Sequence, residues 1–489
     1  MTKPEQASVI AAEDAQTPKL ERTLGPWMLW GLGVGYVIGG EYFGWNLGLL
    51  AGGSLGMMAA FLIVTLLYVC FVFCYAEMAC AVPKAGGVFD YAQWGINQFW
   101  AYVAGISQVL EFLFAPPALA MAVGAYIAPI VQPVLGLGPK PLAILALGLV
   151  TIINVRGVKQ AAAFELSIAI VSSIGLILFA WLIAPSFQIQ EYLRDPLPNG
   201  FLGIFQALPF AIWMYLGIEG LANVAEESRN PSKDIPRGFG GSLVTLMVLA
   251  AVIMVLSVGV KGWPSVVYNP SDLSTVSGQV VVAKDAVESD KSPLTLALDA
   301  VGSLNSPAGM LFQAMGLFGI VASLNGLSLA SGRALLEMGR AKYLPSFLGT
   351  VHPRYHTPAK ALIFNFVVGT AALLVLDTAK LITWSALGAV MLYIFSIPAL
   401  VGLRKKHPNL VRPFITPFYP WMPAISFILS IFCFLAMLIG NLDQPGAFAP
   451  LTEYGSVVIE FGLFWVLAMI YYFAVVKPGK RIATTHDSN

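Results

Sequence analysis

The 489-residue chain is 57% hydrophobic and 11% charged, with a mean hydropathy of +0.77, which excludes a string of soluble domains and indicates a polytopic membrane protein. A formal net charge of +1 and a pI of about 7.6 point to neither nucleic acid nor an acidic partner.

The N-terminal run MTKPEQASVIAAEDAQTPKLERTLG is polar, carries acidic residues and lacks a short apolar core, so no signal peptide is expected. From there a spanning helix of about 20 mostly apolar residues can be laid along the chain twelve times, over 26–50, 54–81, 98–130, 141–155, 162–184, 201–226, 239–260, 307–332, 359–376, 380–403, 420–440 and 454–476. Placing the N-terminus inside puts 21 of the 27 lysines and arginines on that side. This predicts a cytoplasmic-membrane protein with both termini cytoplasmic.

Span one holds GLGVGYVIGGEYFGWNLG, residues 31–48, with seven glycines and one glutamate. Gly31, Gly35 and Gly39, then Gly40, Gly44 and Gly48, form two small-residue ladders of four-residue spacing. The register slips at Gly39–Gly40, which predicts a break in the helix there. Glu41 follows directly, an ionisable group near mid-membrane, and such groups mark functional cavities by default. The alternative is a packing helix whose Glu41 caps its second half.

Glu77, near the end of span two, can reach water or a loop base and reads as structural. Span three places Gln108 and Glu111 on one face, with Glu111 about 18 Å along the helix from Phe99. It faces the same cavity or is a buried structural carboxylate. Pro116–Pro117 is expected to disrupt hydrogen bonding just beyond it.

Span six, FLGIFQALPFAIWMYLGIEG from residue 201, is interrupted by Pro209 and carries Glu219 two residues after Gly217, as Glu41 follows Gly39. Interrupted segments at corresponding places in two halves indicate a secondary transporter built from inverted repeats, with its substrate at midplane. Spans one to five and six to ten are then the repeats, and the last two helices lie outside them. The polar connection over 261–306 is expected to cap the entrance from outside, with a short helical piece at Pro293–Val301.

Cys70, Cys74, Cys80 and Cys433 fall in or at the end of apolar segments, and His352, His356, His407 and His486 in polar ones. Neither a disulfide nor a metal site is expected, nor any cofactor. No ATP-binding loop is present. A channel would want rings of like residues or a repeated filter, and an enzyme a nucleophile and base or a metal set at membrane depth. A transporter-like sensor would carry the same binding site.

Three runs, CYAEMACAVPKAGGVFDYAQ from Cys74, LANVAEESRNPSKDIPRG from Leu221 and SLNGLSLASGRALLEMGRAKYLP from Ser323, resemble the amino acid, polyamine and organocation transporter superfamily. Within it, TLGPWMLWGLGVGYVIGGEYFGWNLGL and QVLEFLFAPPALAMAVGAY look like the ethanolamine permease branch. The resemblance implies an all-α LeuT-like fold of about twelve transmembrane helices. Its 5+5 inverted repeat has discontinuous helices one and six, and two extra helices follow. The expected divisions are a tail over 1–22, a transporter domain over 23–476 with repeats at 23–200 and 201–403 and the last helices in 404–476, and a tail over 477–489. It also implies secondary active import of ethanolamine by alternating access, with another small amine or an amino acid as the alternative cargo.

Amino-acid-transporting members resemble Ile-Gly-Ser-Gly at the first break, where bare N–H groups hold the substrate carboxylate. Here the residues are Ile38, Gly39, Gly40 and Glu41. An ionised Glu41 attracts an ammonium by roughly 4 kcal/mol at 4 Å and an effective dielectric of 20, before desolvation, and opposes a carboxylate. By matching position, Trp213, Tyr215, Gly217 and Glu219 fall in the family's substrate-proximal or gating stretch, and with Tyr36, Gly39, Gly40, Glu41 and Glu111 they make the candidate substrate site. Trp213 and Tyr215 could close over a cation with their ring faces or be interior packing. Some proton-coupled relatives carry a lysine inside helix five, where counting from Glu165 places Ser172 beside Ser173. Those serines with Asn325 and Ser328 are candidate sodium ligands; a carboxylate carrying H+, exchange and uniport remain the alternatives.

Overall fold

The computed structural model describes residues 22–84, 86–157, 161–276, 279–442 and 455–478. Almost all of both expected tails, 1–21 and 479–489, lies outside the described residues.

Among the described residues, helices stand at all twelve expected places, in order. Ten helical segments are long and apolar enough to cross a membrane. Two others, Pro26–Tyr42 in span one and Ala359–Val375 in span nine, have 17 residues each. Span one resumes at Leu47 and runs into span two, but Gly53 at φ 61° reverses the chain between them. A Cβ there would meet the Pro196 carbonyl oxygen at 2.6 Å, so glycine serves both the turn and the close approach.

Several helices outrun their apolar cores: Gln98–Leu135, Pro231–Lys261 and Pro307–Arg340 have 38, 31 and 34 residues. Pro116 and Pro117 do not break span three, which stays helical across both. Packed neighbours tolerate proline inside a membrane helix.

Span one packs against spans five, seven and eight, span two against six, and span three against four, eight and ten. Spans six and ten have 72% and 67% of their apolar windows buried, whereas span twelve has 22%, so the broken helix six is central and helix twelve peripheral. The architecture is the LeuT-like one, with discontinuous helices one and six. The connection over 261–306 contains the expected helical piece, Pro293–Ala300, and a two-stranded hairpin, Leu273–Val276 with Gln279–Val282, that the sequence did not announce. All four cysteines are free and buried.

Candidate substrate site between the two broken helices

Span one does not unwind at Gly39–Gly40, where the register slip placed the break. The helix continues to Tyr42; Phe43 is extended at φ −152° and Gly44 takes φ +93°. What happens at the glycines is subtler. The Ser323 hydroxyl, from span eight, accepts from the Gly39 N–H at 2.8 Å and donates to the Gly35 carbonyl at 2.6 Å. A side chain is thus inserted into the i→i−4 ladder. Both backbone groups stay satisfied, so helical dihedrals persist, and the reversal falls to the next residue that tolerates positive φ, Gly44.

A helix end leaves carbonyls without partners, and here three side chains supply them. The Trp45 indole donates to Glu41 O at 3.0 Å, the Ser292 hydroxyl to Tyr42 O at 2.6 Å, and the Trp213 indole to Phe43 O at 2.8 Å. Ser292 belongs to the 261–306 connection, and Asn46 donates back to Val266 O of the same connection at 2.8 Å. That connection is therefore latched onto the break. Trp213 ends the helix Gly200–Trp213 of span six. A Cβ on Gly40 would lie 2.6 Å from the Trp213 carbonyl oxygen, so the glycine lets the two breaks touch.

Span six turns at Met214–Gly217, with Gly217 at φ +103°, and resumes as a 3-10 helix, Ile218–Glu227. Glu219 caps its own turn, since Oε1 accepts from the Gly217 N–H at 3.0 Å. Its Oε2 accepts from the Tyr393 hydroxyl at 3.3 Å, and Tyr393 pairs with the Tyr68 hydroxyl at 2.7 Å. The Glu111 carboxyl is fully buried, and neither of its oxygens has a hydrogen-bond partner among the described residues. Tyr215 pairs with Thr65 at 2.7 Å, and its ring lies 4.9 Å from that of Tyr68.

Glu41 is fully buried, and neither of its oxygens has a hydrogen-bond partner among the described residues. Burying an unpaired carboxylate is costly, so this group is poised for a proton or a cation. The acidic candidates thus stand in different surroundings: Glu41 by the touching breaks at Gly40 and Trp213, Glu219 beside the Tyr68–Tyr393 pair, and Glu111 against span ten, where the Ser385 hydroxyl donates to its carbonyl at 2.8 Å. Tyr36 packs on the break of span six, its carbonyl oxygen 3.4 Å from where a Gly217 Cβ would lie and its ring close against Gly220 and Gly326.

The four candidate ion ligands have separate surroundings. Ser172 Oγ donates to Met315 O at 3.5 Å, the Asn325 amide to Glu165 Oε1 at 3.1 Å, and the Ser173 and Ser328 hydroxyls have no partner among the described residues. Glu77 is held by Arg404 through two bonds, at 2.9 and 2.6 Å, and by the Thr416 N–H and hydroxyl at 2.7 and 2.6 Å. In the connection after span two, burial and nearby Glu337 push the Asp90 carboxyl up to about 6, against the opposing pull of Lys84 and the Gly86 N–H.

Sequence reasoning passed over Ser323, Tyr68 and Tyr393, which carry no charge or motif to mark them. Glu165 had the same signal as Glu41, an acid within a span, but served only as a point to count from. It is buried, with Oε2 unpartnered and 2.9 Å from where a Gly35 Cβ would lie.

A family model described as amino acid permease matches residues 24–474. An uncharacterized transporter of Rhizobium meliloti is 29% identical over 89% of this chain and 91% of its own. A methylthioribose transporter of Bacillus subtilis is 27% identical over 84% and 87%, and a branched-chain amino acid permease of the same organism is 25% identical over 97% of both chains.

Proposed function

The chain belongs to the amino acid permease family, whose members are membrane transporters and not enzymes, and from that premise we propose that it is a secondary active importer of ethanolamine. The observation that carries the reading is Glu41: a fully buried carboxylate, without a partner on either oxygen among the described residues, at the contact between the two broken helices. A cation supplied by the substrate is the natural complement of such a group, because a buried charge is tolerable only when paired. A compact alkylammonium with a hydroxyl fits that demand, whereas an α-carboxylate on the same carbon skeleton meets like charge.

In this reading Glu41 takes the ammonium, and Trp213 and Tyr215, both almost fully buried, offer ring faces to the cation. The Gly39 N–H is occupied by Ser323 and is not free for a substrate carboxylate, which also favours an amino alcohol. An amino acid is the second reading, favoured by the branched-chain amino acid permease among the relatives. We place the protein in the cytoplasmic membrane with both termini inside, on the lysine and arginine distribution. Uptake of labelled ethanolamine into vesicles containing the purified protein, competed by serine, arginine and putrescine, tests the proposal. Saturable uptake poorly displaced by all three is expected; uptake of an amino acid but not of ethanolamine would overturn the substrate while leaving the fold.

A further inference from the structure

Where span ten hands over to span eleven, the sequence RKKHPNLVRPFITPFYPW, from Arg404 to Trp421, carries Arg404, Lys405, Lys406 and Arg412 and not one acid. Connections are ordinarily polar, yet Val411, Ile415, Phe418 and Trp421 stand 77%, 62%, 78% and 71% exposed here. Large apolar side chains turned outward together mark an interaction surface. Its depth is set by spans ten and eleven, because a short connection between two membrane helices lies at the edge of the bilayer.

The surface is held from within. Glu77 of span two accepts from Arg404 at 2.9 and 2.6 Å and from the Thr416 N–H and hydroxyl at 2.7 and 2.6 Å. Arg412 donates to the carbonyls of Leu403 and His407 at 2.9 Å each and of Leu410 at 3.0 Å, and the Arg404 guanidinium lies 3.8 Å from the centre of the Tyr419 ring. The polar groups of the connection are thus used inward, which leaves its apolar side chains outside. Arg404 and Arg412 share the Glu77 charge. Lys405 and Lys406 are exposed and make no ion pair among the described residues, although Lys406 Nζ donates to the Ile96 carbonyl. Two cations without a counter-charge therefore stand beside an outward apolar patch.

We propose that this connection is a docking surface for anionic phospholipid. The phosphodiester headgroup sits on Lys405 and Lys406, and the upper acyl chains lie against Val411, Ile415, Phe418 and Trp421. An apolar face edged with basic residues settles at the boundary between headgroups and acyl chains and prefers anionic lipid. A second copy of the chain meeting this patch symmetrically would bring the same basic surface against it, whereas an anionic leaflet is its electrical complement. Under the orientation proposed above the lipid belongs to the cytoplasmic leaflet. The docking itself rests neither on that orientation nor on the identity of the substrate.

The full chain and its variants are reconstituted in vesicles of equal parts phosphatidylglycerol and phosphatidylcholine and extracted in mild detergent, and the lipids that stay bound are counted by native mass spectrometry. Wild type should retain an excess of phosphatidylglycerol. Lys405→Gln should reduce that excess roughly fivefold, the worth of one lysine next to the membrane surface, and Lys405→Glu should abolish it, each with the wild-type melting temperature. The double variant Phe418→Ser/Trp421→Ser should retain less of both lipids. Lys233→Gln/Arg237→Gln, an exposed basic pair at the start of span seven, should change nothing. Equal retention of the two lipids by wild type, or as large a loss in the span-seven pair as in Lys405→Gln, would overturn the site. So would a dimer that persists in phosphatidylcholine alone and disappears in Phe418→Ser/Trp421→Ser, since that assigns the surface to a second copy.

Discussion

The indole N–H of Trp213 donates to the carbonyl of Phe43 across 2.8 Å, so the last residue of the first half of span six is tied to the first non-helical residue of span one. Alternating access requires the two broken helices to move against their neighbours, and this bond makes their breaks move together. Trp213→Phe keeps most of the ring but leaves the Phe43 carbonyl unpaired, at a cost of about 1–3 kcal/mol. A lowered melting temperature and slower uptake are expected; a variant with wild-type values for both would show that the breaks move independently.

Ser323→Ala removes the hydroxyl inserted between Gly35 and Gly39. Those two backbone groups are the natural i→i−4 partners and can close on each other, so little stability should be lost, within about 1 kcal/mol. The transport rate should fall nonetheless, because the bridge from Ser323 ties span eight to span one two residues before Glu41. Gly39→Ala is expected to be worse on both counts. Its Cβ would lie 2.8 Å from Ser323 Cβ and 2.9 Å from Leu119 Cδ2, an overpacking that typically costs about 1–3 kcal/mol.

These two residues also mark how far the sequence could be read. The order of the spans, the interruptions of one and six and an acid at membrane depth in span one follow from apolar length, paired glycines and intramembrane charge, all local signals. The break of span one lies four residues beyond its expected place because a serine 284 positions away repairs the glycine pair. The Glu219–Tyr393 bond was equally illegible, since the acid was visible but its partner depends on how spans six and ten cross. Pro116–Pro117 misled because proline reports a missing donor, whereas neighbouring helices decide whether the chain bends.

Glu77 and Arg404 form a pair whose two halves are unequal to lose. Arg404→Ala leaves a buried carboxylate held by Thr416 and by the more distant Arg412, whose Nε lies 3.8 Å from Oε1, and breaking a buried pair costs about 3–5 kcal/mol. The double variant Glu77→Leu/Arg404→Met should recover most of that loss in a thermal melt. Equal destabilisation of the single and double variants would mean that the charge itself is not the cost.

Asp90 gives a pH signature outside the spans. Its folded value is raised to about 6, so the folded state holds this proton more tightly than the unfolded chain does. Stability from this group is therefore full below about pH 4 and is lost as pH rises toward 6, on the order of 1–3 kcal/mol. Asp90→Asn should flatten that part of the stability profile, measured as melting temperature against pH; an unchanged slope would place the titration elsewhere.

The central claim is that Glu41 receives the substrate's ammonium, and equilibrium binding of labelled ethanolamine to purified wild type and Glu41→Gln tests it most directly. Losing a charge-assisted hydrogen bond of about 1.5–3 kcal/mol should weaken binding roughly 10- to 150-fold, while the melting temperature holds or rises because a buried unpaired carboxylate has gone. Unchanged affinity in a folded Glu41→Gln protein would contradict the claim and remove Glu41 from the substrate site.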